Sequence, residues 1–494
     1  TKRRSHECGR VAGTTAAAPG GLRPERANGE DEAAVSRVRA CGRHRGGGTG
    51  PATGIASPRH ARYHGPMLDP KFIRDNLEAV QENIRNRNVD ADAALVARLY
   101  DERNAAIKDL EALRASRNEN AKRMKGKLEA EERAALIEEG KRLKAQIPEL
   151  EQKVRDLEAS LTEEADRIPN MSHPDAPIGS TDADNAELKR VGRPTAFSFS
   201  PRDHITIAED LDLIDFETGT KVSGTKFYYL KNEAVFLEFA LSRYAMDVLA
   251  KHGFTPTITP DIAREEVAQG IGFNPRGAES NIYTLEGEGT CLVGTAEITL
   301  GGYHADSILD AEELPVRLAG FSHCFRREAG AAGQFSRGLY RVHQFSKVEM
   351  FVYCRPEESE TIHDELLAIE EEIFAGLEVP YRVVDTCTGD LGGPAYRKYD
   401  IEAWMPGRGE SGDWGEVTST SNCTDYQSRR LGVRFRDGTD RRLVHMLNGT
   451  AVAVSRAIIA ILENHQQADG SIRIPAALQP YFGGDRIGPR SAGS

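Results

Sequence analysis

Arg326, Glu328, Phe345, Lys347 and Glu349 lie on two strand-like segments, GFSHCFRREAG ending near Glu328 and YRVHQFSKVEMFVY starting at Tyr340, joined by the Gly-rich stretch AGAAGQFSRGL. Side chains two apart on a strand share a face. Arg326 therefore falls with Glu328, and Phe345 lines up with Lys347 and Glu349, while Val348, Met350 and Val352 take the opposite face and supply core. A charged face of this kind is expensive to bury. Either a bound ligand compensates the charges, or they pair with one another across the strands. A third strand, near DWGEVTSTSNCTDYQ, adds Glu416, Thr418 and Ser419, oxygen donors that a hard cation such as Mg²⁺ accepts. The segment LNGTAVAVSRAIIAILEN reads as a helix with Val454, Ala457, Ile458, Ile461 and Leu462 on its apolar face. Its amino end, Asn448, Gly449 and Thr450, offers a cap and N–H groups that favour anions, with Arg456 in the first turns. No Walker A sequence is present and no GxGxxG follows a strand, so phosphate recognition has to come from these segments.

These residues belong to a region, from about residue 190 to residue 483, in which helices mix with aromatic and β-branched strands separated by Gly-containing turns. The pattern predicts an α+β domain on a mostly antiparallel sheet. Ahead of it, from about residue 95 to residue 168, the chain predicts two long helices. Leu99, Ala106, Leu110, Leu113 and Met124 recur at helical steps in the first. Leu136, Leu143, Ile147, Leu150, Val154, Leu157, Leu161 and Ile168 keep a coiled-coil spacing in the second. Between them KRMKGKLEAEER suits the tip of an antiparallel hairpin, an arm standing in solvent. Pro148 removes one backbone hydrogen bond from the second helix, so a kink is expected there. Arg117, Lys122, Arg123, Lys125 and Lys127 cluster toward the tip; they read either as a solvated helix end or as a phosphate-binding surface. The run PNMSHPDAPIGSTDAD, with Pro169, Pro174 and Pro177, marks a linker.

The chain has 494 residues, enough for two or three domains, and 28% of them are charged. No apolar run suits a membrane span, and a cytoplasmic protein is expected. A net charge of −12 excludes nucleic-acid binding by the whole surface and leaves it to local basic patches. Seven scattered cysteines, without a CxxC pair, imply neither a zinc site nor a disulfide framework. Residues 1–66, rich in Gly, Ala and Arg, are expected to be a disordered extension outside the native protein, with the natural start at Met67. An Arg-rich transit peptide is the rival reading, against which the acidic Glu30, Asp31 and Glu32 count. The expected boundaries are residues 67–176 for an N-terminal unit with the arm, 177–484 for the catalytic domain and 485–494 for a disordered tail.

FRREAG, RVHQFSKVEMF, EVTSTSNC with QSRR after it, and NGTAVAVSR resemble motifs 2 and 3 of the class II aminoacyl-tRNA synthetases. GTAEI at Gly294 to Ile298, TCTGDLG at Thr386 to Gly392 and YDIEAWMP at Tyr399 to Pro406 resemble the bacterial type of the seryl-tRNA synthetase family, and the likeness runs from Met67 to about Gly484. It implies activation of L-serine with ATP to seryl-adenylate and pyrophosphate, then transfer to tRNA(Ser), and also to tRNA(Sec). On the matching positions, Arg326 would bridge the α-phosphate and the serine carboxylate, and Arg456 would hold the γ-phosphate. Phe345 would stack on the adenine ring with Val342, His343 and Gln344 completing that wall, Glu328 would help place the adenine or its metal, and Arg327 would join the ATP site. Val417 and Thr418 would complete the ATP site, and Glu416 with Ser419 would bind Mg²⁺. Serine would lie among Thr295, Ala296, Glu297, Arg326, Glu349, Asn448 and Thr450. The family often has Ser where this chain has Thr450, which keeps the hydroxyl but narrows the pocket. Arg117, Lys122, Arg123, Lys125 and Lys127 would contact the tRNA, and Pro260 in HGFTPTITP falls where the family has a proline near its homodimer interface. Two other readings compete. A ligase charging a carrier protein would lack the arm, and a non-catalytic RNA-binding relative would show gaps at Arg326, Glu416 or Arg456.

Overall fold

The computed structural model describes residues 68–274, 280–328 and 338–489. The expected extension 1–66 and most of the Gly-rich stretch after Glu328 lie outside the described residues. Eight strands form the principal sheet: β1 (Ala186–Val191), β2 (Thr255–Ile258), β3 (Val316–Phe325), β4 (Gln344–Cys354), β5 (Tyr381–Asp385), β6 (Arg397–Met405), β7 (Asp413–Asn422) and β8 (His445–Ala453). Their order across the sheet is β1-β5-β6-β7-β8-β4-β3-β2. Every neighbouring pair is antiparallel except β2 with β3. The expected α+β class with a mostly antiparallel sheet is therefore what the chain forms.

Alternation along β4 sorts the core from the site. Val348, Met350 and Val352 are fully buried in the main apolar cluster, against Leu237 and Leu241 of α5 (Glu233–Lys251), Leu366 and Ile373 of α6 (Ser359–Gly376) and Ile458 of α7 (Val454–Asn464). Each such side chain stabilises the fold by about 1.5–3 kcal/mol. Phe351 and Tyr353 face the other way, into a smaller cluster with Leu431, Val433 and Phe435. Beyond that cluster the second face opens, and Lys347 and Glu349 project onto it.

The last segment differs from its sequence reading. Residues 445–453 are not the amino end of a helix but strand β8, hydrogen-bonded between β4 and β7, and α7 starts only at Val454 with Ala453 as its N-cap. Asn448 and Thr450 thus act as strand side chains, not as caps. Gly449 is needed for close approach, since a Cβ there would lie 2.9 Å from a carboxylate oxygen of Glu370. Tertiary pairing on both edges overrides the helical periodicity that continues into α7. The strand after Gly320 likewise ends at Phe325, before Glu328, whose φ of 48° turns the chain away.

In the N-terminal unit, α1 (Pro70–Asp75), α2 (Leu77–Asn86), α3 (Ala93–Arg123) and α4 (Ala130–Ala165) form the expected hairpin and its base. Asp92 caps α3 by accepting from the N–H groups of Ala94 and Leu95. Ala106, Leu110, Leu143, Ile147 and Val154 make a narrow seam of their own. Asn120 is buried in that seam and donates to the Leu136 carbonyl at 3.0 Å, a polar contact that specifies register. Helix α4 runs through Pro148 without interruption. At the base, Ile73, Val80, Val96, Leu161 and Ile168 pack with Tyr426 of the catalytic region. Arg117, Lys122, Arg123, Lys125 and Lys127 are all exposed toward the tip, and Arg123 pairs with Glu132 at 2.8 Å.

The expected tail boundary needs correction. Arg486–Ile487 pairs with Ile472–Arg473, and Ile487 is only 1% exposed, so the folded region continues past residue 484. One apolar side chain entering the core outweighs the polar, Gly-rich composition around it.

Candidate active site

Two bulges shape the open face of the sheet. On β8 an extra residue, Ala451, shifts the register so that Thr450 sits opposite Glu349. On β7 an extra Val417 leaves Glu416 opposite Glu402. Bulges of this kind re-aim side chains at a site, and here they help frame a cavity of about 360 Å³.

One end of the cavity is cationic. Arg326, just beyond β3, is held by a bond from its Nε to the Gly294 carbonyl at 3.1 Å, with its guanidinium 5.3 Å from the centre of the Phe345 ring. Arg456 extends from the first turn of α7 to the Glu416 carboxylate at 3.1 Å and to the Glu416 carbonyl at 2.9 Å. The Tyr340 ring is sandwiched between Arg456 at 4.7 Å and Arg408 at 4.6 Å. Burial pushes the Glu416 carboxyl up, but Arg456, Lys398 and Arg326 outweigh it and hold it below its ordinary value.

The other end is polar and acidic. Glu297 accepts from Gln427 at 2.8 Å and from Asn448 at 3.0 Å. Burial and the neighbouring Glu349 push its carboxyl up to about 7. Glu349 pairs with Lys347 and accepts from the Thr450 hydroxyl at 3.4 Å, and Thr295 closes the same corner. The charges expected either to pair or to await a ligand do both: they pair with each other around an open volume. Such a cavity, with arginines at one end and carboxylates at the other, suits an elongated ligand whose anionic part meets the first and whose cationic part meets the second.

The class II core domain model of tRNA synthetases for Gly, His, Pro, Ser and Thr matches residues 283–465, and the seryl-tRNA synthetase N-terminal domain model matches residues 67–172. The chain is 63% identical over 423 residues to the serine–tRNA ligase of Treponema denticola, covering 85% of this chain and 100% of that protein. It is 55% identical over 424 residues to the serine–tRNA ligase of Rubrobacter xylanophilus, covering 86% and 99%. Among solved structures, seryl-tRNA synthetase from Pyrococcus horikoshii complexed with ATP superposes with a TM-score of 0.80 at 42% identity, over 86% of this chain and 100% of that one. The chain belongs to the seryl-tRNA synthetase family. The activity of that family is ATP-dependent ligation of serine to tRNA, and the reading as an aminoacyl-tRNA synthetase specific for serine stands.

Within this seryl-tRNA synthetase fold, Thr295, Glu297, Arg326, Glu328, Val342, Phe345, Glu349, Glu416, Val417, Thr418, Ser419, Asn448, Thr450 and Arg456 all line the one cavity. Others of the expected residues do not. Ala296 is buried beneath it, and Arg327 uses its backbone N–H to bond Asn281. The His343 ring stacks on Phe227, with Nδ1 2.7 Å from the Arg326 carbonyl, so it supports the wall from behind. Gln344 lines a neighbouring hollow with Phe239 and Tyr228. Thr418 donates to the Thr450 carbonyl, tying two strands together under the site.

Sequence reading passed over several groups that the fold brings in. Lys347 was visible on the charged face of β4, but only the structure pairs it with Glu349. Gln427 lies in the QSRR stretch and reaches Glu297. The segment Gly392–Ala395 walls the cavity and begins inside TCTGDLG, yet nothing in its composition signals a role.

Proposed function

We propose that this cavity is where serine and ATP react. Arg326, at the cationic end, would neutralise the α-phosphate and the serine carboxylate together. Arg456 would hold the outer phosphates and Phe345 the adenine, while Glu297, Glu349, Thr295 and Thr450 would take the ammonium and hydroxyl of serine. The carrying observation is the single cavity with guanidinium groups at one end and a paired acidic corner at the other.

The reaction needs no general base. A serine carboxylate oxygen attacks the α-phosphorus, the bond to the departing pyrophosphate breaks, and the carboxylate is already ionised. Alignment and charge neutralisation do the work. Serine is favoured over alanine because a missing hydroxyl leaves buried polar groups unpaired. Glu416 and Ser419 offer one carboxylate and one hydroxyl; Mg²⁺ commonly takes so few protein ligands when phosphates supply the rest, so the donor set fits. A bound Mg²⁺ would supply further neutralisation of phosphate charge.

The arm's tip, where Arg117, Lys122, Arg123, Lys125 and Lys127 are all exposed, favours an RNA phosphate surface, for tRNA(Ser) and by family likeness tRNA(Sec). A homodimer is proposed from the edge of the sheet. Ile258 on β2 is 85% exposed, Phe239 on α5 is 65% exposed, and with Met246, Pro256 and Phe321 they form an apolar hollow next to Pro260. An apolar edge of this kind is a liability unless covered. No helix among the described residues is long and apolar enough to cross a membrane, and a cytoplasmic site of action is proposed. So are the domain limits 67–176 for the N-terminal unit and a catalytic domain from 177 through Ile487.

The test is serine-dependent exchange of pyrophosphate into ATP, run with all the standard amino acids. Exchange is expected with serine far above any other, and exchange no greater than a no-amino-acid control would overturn the assignment.

A further inference from the structure

Arg87 ends α2 in the N-terminal unit and is 3% exposed. A guanidinium buried so deeply ordinarily has a carboxylate beside it. Arg87 is satisfied instead by backbone carbonyls. Its Nη1 donates to Ala395 at 2.9 Å and to Asn170 at 3.3 Å, and its Nη2 to Gly392 at 2.7 Å and to Leu391 at 3.3 Å. Asn170, in the linker, takes the two carbonyls that Arg87 does not. Its backbone N–H donates to Gly393 at 2.9 Å, and its Nδ2 donates to Pro394 at 2.9 Å and to Cys423 at 3.0 Å. All five consecutive carbonyls from Leu391 to Ala395 are thus held from outside the catalytic region.

That segment is a wall of the cavity, through Gly392, Gly393, Pro394 and Ala395. It lies at the acidic end, where Asn448 bonds Glu297 and approaches the Cys423 sulfur at 3.7 Å. Its two glycines contribute no packing, and a Cβ built on either meets nothing within 4 Å. Besides the N–H bonds of Leu391 to Cys387 at 3.1 Å and of Ala395 to Gly392 at 3.0 Å, and the buried Leu391 and Ala395 side chains, it is the carbonyl bonds that fix the path of the chain there. With those carbonyls engaged by Arg87 and Asn170, their directions are set before a ligand enters, and the wall keeps its shape at the acidic end of the cavity.

We propose that Arg87 is a positioning residue for serine: by clamping the Leu391–Ala395 backbone, the N-terminal unit sets the wall of the amino-acid pocket, so activation depends on that unit even when no tRNA is present. The inference rests on the assignment of this cavity to serine and ATP.

Arg87→Met and Arg87→Lys test it by pyrophosphate exchange without tRNA, with the melting temperature of each variant measured alongside. Arg87→Met removes every donor and is expected to raise the KM for serine about tenfold or more, the scale of losing bonds to a charged donor. The KM for ATP should stay within about twofold. Arg87→Lys keeps the charge but cannot fork, and a rise of about threefold or more in the serine KM is expected. A serine KM at the wild-type value in both folded variants would overturn the proposal. If Arg87→Met does not fold, a wild-type serine KM in Arg87→Lys overturns it alone. Equal rises for serine and ATP would reduce Arg87 to general scaffolding and also overturn it. Wild-type protein without serine-dependent exchange would instead sink the substrate assignment, and the clamp's role with it.

Discussion

Burial and the Glu349 carboxylate push the Glu297 carboxyl up to about 7 from an ordinary value of 4.5. The fold therefore holds this proton more tightly than the unfolded chain does, and the group's contribution to stability declines as pH rises from about 4.5 to 7. A serine ammonium placed beside Glu297 favours the ionised form, so serine binding near pH 7 should release protons. Calorimetry in buffers of different ionisation heat would measure that release. It should vanish in Glu297→Gln, and an identical proton count in the variant would refute the role. At the cationic end, Arg326→Lys keeps charge but loses the planar fork. Pyrophosphate exchange should fall by about a hundredfold in kcat/KM, with the melting temperature nearly unchanged. At Thr450, a serine retains the hydroxyl facing Glu349, whereas an alanine deletes it. Thr450→Ser should leave exchange within about threefold and Thr450→Ala should raise the serine KM by about tenfold or more, because the alanine leaves a buried carboxylate oxygen short of a donor.

The arm and the strands behave as separable devices. Ala106, Leu110, Leu143, Ile147 and Val154 make a seam along the hairpin, whereas Leu161 and Ile168 belong to the base, which packs on Tyr426 of the catalytic region. Replacing residues 106–154 with a short flexible linker should therefore abolish tRNA charging while pyrophosphate exchange stays near wild type. Parallel loss of both would show that the hairpin supports the catalytic region as well. Removing Leu161 and Ile168 along with it would disturb the base, and so is a poorer experiment. The hairpin was legible in the sequence because coiled-coil spacing is a local property, repeated often enough to survive one proline. Strand β8 was not. Its residues, from Asn448 to Val452, are compatible with continuing α7 backwards, and only pairing with β4 and β7 makes them extended.

At the scale of the whole molecule the sheet has two edges with different characters. β1 carries Lys189 and Arg190 and is protected by charge, whereas β2 presents Ile258 beside Phe239 and Phe321. Double substitution Phe239→Asp and Ile258→Asp should convert a dimer into a monomer in sedimentation measurements, since two charges at the centre of an apolar contact face cannot be desolvated cheaply. A species of unchanged mass would rule out this edge as the interface. The same view joins the two ends of the chain's chemistry. The unit that carries the basic tip also carries Arg87, whose carbonyl clamp reaches the wall of the amino-acid pocket.

What the sequence determined by itself is whatever depends on residues close together along the chain: the hairpin seam, the alternation on β4 that separates Val348 and Met350 from Lys347 and Glu349, and the motifs that carry the family likeness. Tertiary structure decided what depends on distant partners. It put Thr450 opposite Glu349 through a bulge, turned His343 and Gln344 out of the cavity, kept Ile487 in the fold, and buried Arg87 against carbonyls some 300 residues away along the chain. The reason is physical: periodicity and propensity are local, whereas the satisfaction of a buried donor is fixed only when the remote acceptor arrives.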